Sequence, residues 1–252
     1  MSPSVLARTV YLLLAGVGVA ALKCESMPSD LPCVEISRCR SGDPNATVTI
    51  DSLSNGLGKS KAVSTVSLCF TDTDLYLHHE AAGQLYLGET SYQQCNSAIF
   101  NSNVAEFFVA PTLDEPHCYN ELDISPFDVM YDAGIYNPNL NHTSVQGTTF
   151  DCATSSITHS TSTLMSENQW KVDMSIPFSL LNCPYNCPQH CPLANRNGPH
   201  DSYRVNFFRI SQLTQNPQCS SSTCEYMAWS PTDVNPPAFH EPLKFGNLLL
   251  QF

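Results

Sequence analysis

The sequence predicts an all-β protein, a single β-sandwich of about ten antiparallel strands that is stapled by disulfides. Short runs of β-branched and aromatic residues recur along the chain between Pro, Asn and Gly, whereas no apolar pattern of helical period extends far. All-β domains of about 200 to 250 residues form routinely, so one sandwich accounts for the mature chain. The predicted strands cover 46–50, 63–70, 74–79, 104–110, 119–124, 128–136, 170–176, 203–210, 225–230 and 245–252.

The N-terminus is typical of an exported protein. A cationic start precedes an apolar run from Val10 to Leu22, which is shorter than the about 20 residues that span a bilayer. We therefore expect a signal peptide over 1–21, a Cys-containing extension over 22–44 and the sandwich domain over 45–252. A membrane anchor is the competing interpretation, and we expect no membrane insertion and a secreted protein, extracellular or in a cell wall.

Cysteine usage agrees with export. All 12 cysteines lie beyond the signal segment, an even number that permits up to six disulfides in an oxidising compartment. The spacing of Cys219 and Cys224 would close a hairpin loop. Cys183, Cys187 and Cys191 have the spacing of a zinc knuckle, but disulfides are favoured in a secreted chain. Connectivity does not follow from spacing, so the pairing stays open.

Net charge restricts the partners. The chain carries a formal charge of -12 with only 11 Lys and Arg. Nucleic acids and anionic membranes are bound by clustered basic groups, so neither is expected as a partner. Neutral ligands, carbohydrates among them, remain open.

Two polar stretches contain N-glycosylation sequons, at Asn45 and Asn141. We expect both to lie on surface turns. The Ser/Thr-rich stretch 154–166 is interpreted as a loop.

The C-terminal fifty residues carry a family resemblance. Ala228-Trp-Ser-Pro231, followed by Phe239-His-Glu-Pro-Leu-Lys-Phe-Gly-Asn-Leu248, resembles the C-terminal signature of family 9 carbohydrate-binding modules. The resemblance extends over about residues 45–252 and implies a non-catalytic β-sandwich of the kind often attached to glycoside hydrolases. Further blocks that match in the same order are Val66–Leu77, Asn103–Val109, Tyr119–Pro126 with Tyr131–Asp132, and Trp170–Phe178.

The resemblance also implies a ligand site. Pyranose rings offer flat C–H faces that pack on aromatic rings, while their hydroxyls need polar partners. In family 9 modules two aromatic residues clamp the terminal sugar. The resemblance implies that Phe100 and Phe239 occupy these two positions. We expect Phe239 to be exposed on a Pro-rich loop. Glu106 matches the acidic residue of the family, and a carboxylate there would accept hydrogen bonds from adjacent sugar hydroxyls.

Three more residues are candidate carbohydrate contacts. Asn235 falls in the loop where the family places a polar contact, and Asp123 falls where some members carry Arg. Arg209 alternates with Val205 and Phe207, so it shares a face with them and is either a sugar donor or a buried ion-pair partner. Trp229 is expected in the core.

Other functions remain alternatives. One is a structural glycoprotein of the cell surface or matrix. Another is a haem-binding redox sandwich of the DOMON type, for which His78, His79 and Met130 supply possible ligand types. A glycosidase would need two nearby carboxyls, which Glu106, Glu121 and Asp123 offer from predicted neighbouring strands.

No organic cofactor is expected, and a structural calcium ion is the one cofactor that the sequence leaves open. Calcium prefers oxygen ligands. The candidate ligands are acidic residues at predicted turns, namely Asp72, Asp74, Asp114 and Asp132.

Overall fold

The computed structural model describes residues 22–28, 30–40, 44–83, 86–88, 91–182, 187, 198–215 and 218–252. The predicted signal peptide lies outside this part of the chain, as do Cys183 and Cys191, for which disulfides were favoured over a zinc knuckle.

The described residues form thirteen β-strands and one short α-helix, α1 (Phe178–Leu181). No helix among them is long and apolar enough to cross a membrane. The strands are β1 (Cys33–Ser37), β2 (Ala46–Leu53), β3 (Lys59–Phe70), β4 (Asp74–Ala82), β5 (Val104–Ala110), β6 (Cys118–Ile124), β7 (Met130–Tyr136), β8 (Gln146–Thr149), β9 (Thr158–Leu164), β10 (Gln169–Pro177), β11 (Ser202–Gln212), β12 (Cys224–Ala228) and β13 (Gly246–Gln251).

All strands belong to one curled sheet with the order β8-β7-β6-β5-β11-β12-β2-β3-β4-β10-β9, and β13 and β1 branch from β11. The first leaf consists of β8, β7, β6, β5 and β11 together with β13 and β1. The second leaf consists of β12, β2, β3, β4, β10 and β9. Core side chains from both leaves pack together, which makes the curled sheet a sandwich. The pairs are antiparallel except that β1 runs parallel to β13.

The two faces of the first leaf have different roles. Period-two alternation sends Phe107 of β5 and Phe207 of β11 into the core between the leaves, where their rings stack with centroids 5.2 Å apart. Their neighbours Phe108 and Phe208 point to the opposite face and join a second apolar cluster. This outer face is closed by the C-terminal loop, so β5 and β11 are buried on both sides.

All ten predicted strands are present, and the all-β prediction is confirmed. The interpretation of 154–166 as a loop is wrong, because Thr158–Leu164 forms β9 at the edge of the sheet beside β10. The residues of β9 are polar on both faces of the strand, so the sequence shows no apolar alternation there. Two further strands were not predicted. The extension over 22–44 contributes β1, which pairs with β13, and the short strand β8 pairs with β7.

Five disulfides staple the described residues, in agreement with the predicted oxidising compartment. The predicted pairing of Cys219 with Cys224 is confirmed. Cys187 pairs with Cys118 of β6, so a zinc knuckle that includes Cys187 is wrong. The other pairs are Cys24–Cys33, Cys39–Cys69 and Cys95–Cys152.

Arg209 of β11 is fully buried on the core face with Val205 and Phe207, as its alternation predicted. Its guanidinium donates to the carbonyl oxygens of Val63 and Ala82, at 3.0 and 2.8 Å. These bonds tie the first leaf to β3 and β4. Burial lowers the pKa of Arg209 to about 9, so the group stays charged at neutral pH.

His79 of β4 is a buried titratable group in the core. Its Nε2 makes no hydrogen bond to a described residue, and its ring lies 6.1 Å from that of Trp170. Burial, with smaller effects from the charges of Arg209 and His78, lowers the pKa of His79 to about 3. The unfolded chain therefore binds a proton at His79 near pH 6.5 that the folded protein does not bind.

We predict that His79 contributes to acid sensitivity. From about pH 6.5 down toward pH 3, the free energy of unfolding should fall by about 1.4 kcal/mol per pH unit on its account. His79→Leu should flatten that slope in chemical denaturation measured at several pH values.

The neighbouring His78 is the matched control, because its pKa shifts in the opposite direction. Burial lowers the pKa of His78, but hydrogen bonds to Asp173 and Glu80 outweigh that effect and raise the pKa above its ordinary value. His78 stabilises the fold at low pH and loses that effect as pH rises through its folded pKa, so His78→Leu should leave the acid slope at least as steep. An unchanged slope in His79→Leu would contradict the prediction.

Candidate functional site

A cleft of about 290 Å³ opens on the outer face of the first leaf, under the C-terminal loop. Its floor is formed by alternate residues of β5, β6, β7 and β11, and its rim by the turn before β5, by β8, β12 and the loop after it. The lining residues are Phe100, Glu106, Phe108, Glu121, Tyr131, Ile135, Val145, Gly147, Ile210, Tyr226, Pro237, Phe239 and His240.

The floor carries an acidic cluster of Glu106, Glu121 and Asp123. Strand register explains it, because Glu106 of β5 lies directly opposite Asp123 of β6, and Glu121 lies two residues along β6 on the same face. One carboxylate oxygen from each residue lies within 4.8 Å of the others. All three side chains are buried, with exposed fractions of 4 %, 6 % and 0 % for Glu106, Glu121 and Asp123.

The acidic cluster has unusual electrostatics. Burial raises the pKa of Glu106 and of Asp123 well above their ordinary values, and the neighbouring carboxylates raise both further. Burial also raises the pKa of Glu121 to about 8. Near neutral pH these carboxyl groups therefore hold protons unless a ligand supplies a positive charge, because burial disfavours their ionised forms.

A histidine from the C-terminal loop lies beside the acidic cluster. His240 Nδ1 shares a hydrogen bond of 2.8 Å with the hydroxyl of Tyr119, which fixes the ring so that Nε2 lies 3.9 Å from Oε2 of Glu121. Burial lowers the pKa of His240 to about 4. His240 is therefore neutral at pH 7 and supplies no positive charge to the acidic cluster.

Aromatic rings surround the acidic floor. Phe100 is 37 % exposed, and its ring meets that of Tyr131 edge to face with centroids 5.3 Å apart. Tyr226 also lines the cleft, and burial together with the charge of Glu106 raises its pKa. Rings thus stand beside carboxyl oxygens, which is the combination that a sugar ring requires.

Phe239 differs from the expectation of an exposed residue on a loop tip. It is only 9 % exposed, because its ring stacks on that of Phe208 at a centroid distance of 4.2 Å and meets Tyr226 edge to face. The Pro-rich loop folds back over the outer face of the sheet instead of projecting from it. Phe239 still lines the cleft, as part of its wall.

Phe100, Glu106 and Phe239 therefore meet in one cleft, and the other candidates lie at different distances from it. Asp123 lies on the floor behind Glu106. Asn235 is exposed in the C-terminal loop, two residues before Pro237, which lines the cleft. Trp229, which precedes this loop, packs on the core as predicted. Arg209 does not line the cleft, because its side chain is buried on the other face of β11.

Sequence reasoning missed several cleft residues. Tyr131, Tyr226 and His240 were not identified as site residues, and Glu121 was considered only for catalysis. The period-two alternation contained the signal for two of them, since Glu121 and Asp123 share a face of β6 and Asp123 pairs with Tyr131 of β7. The placement of His240 depends on the path of the loop, which no local pattern predicts.

A second and larger depression, of about 670 Å³, lies on the outer face of the other leaf. Two of its polar groups pair with each other, since His78 lies 2.6 Å from Asp173. Tyr76 is the one Phe, Tyr or Trp among its lining residues. Unpaired polar groups beside aromatic rings favour the smaller cleft as the candidate site.

The acidic residues named as candidate calcium ligands do not form one site, and the placement of Asp132 at a turn is wrong, because Asp132 is buried within β7. Asp72 pairs with Arg38, and Asp74 accepts a hydrogen bond from Ser175. In the described part of the chain, the acidic cluster of the cleft is the only group of three or more residues with ligand atoms close enough for one metal ion. The gap beside His79 holds about 10 Å³, which is far too small for a haem.

Comparison with known proteins places this architecture among carbohydrate-binding modules. The chain shares its fold with a candidate carbohydrate-binding protein from Bacteroides uniformis, at a TM-score of 0.58 and 16% identity over 87% of this chain and 99% of that one. It also superimposes on a family 9 module from Caldicellulosiruptor kristjanssonii, seen with cellotriose and with glucose, at TM-scores of 0.53 and 12% identity. These matches cover 87% of this chain and 94% and 96% of the module chains. The fold is that of family 9 carbohydrate-binding modules, as the sequence resemblance predicted.

Sequence comparison is sparser. No protein-family model matches the chain. A relative from Arthroderma benhamiae named "Extracellular protein" is 32% identical over 153 residues, which are 58% of this chain and 62% of the relative. The match thus spans less than two thirds of that protein.

We predict that Phe239 contributes to stability. Phe239→Ala should lower the free energy of unfolding by about 3 kcal/mol, because it leaves a cavity over Phe208. Phe100→Ala, which removes a ring that is 37 % exposed, should lower it by less than about 1 kcal/mol. Urea denaturation of both variants measures the difference, and equal losses would show that the burial difference has no energetic effect.

Proposed function

We propose that this protein is a secreted, non-catalytic carbohydrate-binding protein that holds the end of an oligosaccharide or polysaccharide in the cleft between Phe100 and the acidic floor. The observation that carries the proposal is the partly exposed ring of Phe100 beside buried carboxyl oxygens that lack partners among the described residues. The shared fold with modules seen with glucose and cellotriose supports the same ligand class.

The cleft suits a sugar chain end by size and chemistry. Its volume of about 290 Å³ is at the lower end of the range of about 300 to 1,000 Å³ for ligand pockets, which fits one or two sugar rings better than a long segment. Phe100 and Tyr131 supply the apolar faces, and Glu106 and Glu121 accept hydrogen bonds from hydroxyl groups.

The expected affinity follows from these contacts. A sugar face on an aromatic ring buries about 50 to 100 Å² of apolar area, worth about 1 to 2.5 kcal/mol. Hydrogen bonds to charged groups add about 1.5 to 3 kcal/mol each, and association costs several kcal/mol. The dissociation constant should therefore lie between micromolar and millimolar.

Secretion and glycosylation are parts of the proposal. The relative named as extracellular and the five disulfides support secretion. Of the two sequons, Asn141 is the better acceptor, since the side-chain amide of Asn45 donates to the carbonyl oxygens of Ser37 and Arg38, both at 2.9 Å. A glycan on Asn45 would replace one of the amide hydrogens that make these bonds.

We predict that Phe100→Ala weakens oligosaccharide binding about tenfold while leaving the fold intact, because each sugar–ring contact is worth about 1 to 2.5 kcal/mol. Calorimetry of the mature protein with cello-, xylo- and chito-oligosaccharides measures the change. The titrations are run with about 1 mM calcium and without it, since extracellular calcium sites have dissociation constants of about that size.

Phe127 provides a matched control, since it is also 37 % exposed and does not line the cleft. Phe127→Ala should bind like the unmodified protein. Saturable binding that Phe100→Ala leaves unchanged would place the ligand elsewhere, and no saturable heat with any of the sugars would favour a structural glycoprotein of the cell surface or matrix.

A further inference from the structure

The acidic cluster at the floor of the cleft combines proximity with unsatisfied oxygens. Asp123 is fully buried, yet neither of its carboxylate oxygens makes a hydrogen bond to a described residue, and Oε1 of Glu106 has no partner among them either. Buried carboxylates are normally hydrogen-bonded, paired with a cation or coordinated to a metal. Three oxygens of the two facing carboxyl groups Glu106 and Asp123 thus lack a partner that a bound cation would supply.

Some buried polar groups close to the cleft have partners. The guanidinium of Arg204 donates to the carbonyl oxygens of Phe245 and Leu243, both at 2.8 Å. The amide of Asn206 donates to the carbonyl oxygen of Ser230 and accepts from its backbone N–H. Both carboxylate oxygens of Asp132 on β7 lack a partner among the described residues, as those of Asp123 do. The acidic cluster is therefore distinguished by the proximity of its three ligand oxygens and not by missing partners alone.

No basic side chain in the described part of the chain fills the role. Arg209, one strand away from Glu106 on β11, points to the opposite face of the sheet and donates to Val63 and Ala82. His240 Nε2 is 3.9 Å from Glu121 Oε2, beyond hydrogen-bonding distance. A positive charge at the acidic cluster would therefore come from a bound ligand.

The geometry fits a divalent metal ion. Calcium binds oxygen ligands at about 2.3 to 2.6 Å, so two ligands of one ion lie up to about 5 Å apart. The three carboxylate oxygens lie within 4.8 Å of one another, inside that limit. An all-carboxylate donor set favours calcium or another hard cation over zinc or copper.

We propose that Glu106, Glu121 and Asp123 bind one divalent cation, with calcium as the preferred ion, and that two hydroxyl groups of the ligand complete its coordination from the cleft. Calcium takes about six to eight oxygen ligands, which is more than three carboxylates supply in most arrangements. Glu106 and Glu121 line the cleft, whereas Asp123 is fully buried and does not, so an ion bound to all three residues would be reached by a ligand from the cleft. The hydroxyl part of this inference rests on the proposed function, whereas the cation part does not.

The cation part is tested on the mature protein after removal of metal with EDTA. Calorimetry with calcium chloride should show one saturable site per chain, and Asp123→Asn should weaken it at least tenfold. Asp114→Asn removes an exposed acid between β5 and β6 and serves as the matched control, which should bind calcium like the unmodified protein. Circular dichroism establishes that each variant is folded.

Terbium luminescence tests the position of the ion without changing a carboxylate. Tyr131 of β7 lies directly opposite Asp123 of β6 and lines the cleft with Glu106 and Glu121, so this side chain is close enough to sensitise a terbium ion in the acidic cluster. Terbium emission excited through tyrosine should fall at least twofold in Tyr131→Phe, and calcium should displace it. Emission that Tyr131→Phe leaves unchanged would overturn the proposed position.

The hydroxyl part is tested by titrating cello-oligosaccharides in calcium and in EDTA. Binding at least tenfold weaker in EDTA supports the proposal. Equal sugar binding in both buffers overturns the coordination by hydroxyls but leaves the proposed function intact, whereas calcium binding without any sugar binding overturns the proposed function. Absence of saturable calcium binding overturns the cation site, and binding of glucosamine in EDTA would then identify an ammonium group as the occupant.

Discussion

The structure depends on β11, which is buried on both faces and is paired with three other strands. It pairs with β5 over most of its length, with β13 over its first residues and with β12 over its last. Phe207 fixes the core side, and Phe208 fixes the outer side as the surface on which Phe239 stacks. Because side chains alternate, one strand thereby positions both the sandwich core and the wall of the cleft.

Burial on both faces has a chemical consequence. The outer face of the first leaf is covered by the C-terminal loop, so carboxyl groups that would be solvated on an ordinary sheet surface are enclosed at Glu106, Glu121 and Asp123. Enclosure of these carboxyl groups without a counter-ion destabilises the ligand-free protein. A ligand that supplies hydroxyls or a positive charge to the same groups would stabilise the folded state. The proposed ligand recognition would therefore come at a cost in fold stability.

The sequence was sufficient for the parts that depend on local pattern. Runs such as 104–110 and 203–210 alternate or are continuously apolar, which predicts strands, and the spacing of Cys219 and Cys224 predicts a local disulfide. β9 was missed because Thr158–Leu164 is polar on both faces and gains its structure from pairing with β10. Tertiary pairing of this kind has no local signature.

The sequence predicted only which site residues share a face of a strand. The family resemblance gave the place of Glu106, and period-two alternation puts Glu121 and Asp123 on one face of β6. The burial of Phe239 depends on the loop folding back onto Phe208, a contact between residues far apart in the chain.

The ligand is expected to enter the cleft of the first leaf and not the depression on the other one. Amide chemical-shift mapping of the isotope-labelled protein with cellotriose and calcium tests this directly. We expect dose-dependent shifts at Phe100, Tyr131 and Tyr226. Shifts confined to Tyr76 and His78, or no shifts at saturating ligand, would contradict this assignment of the site.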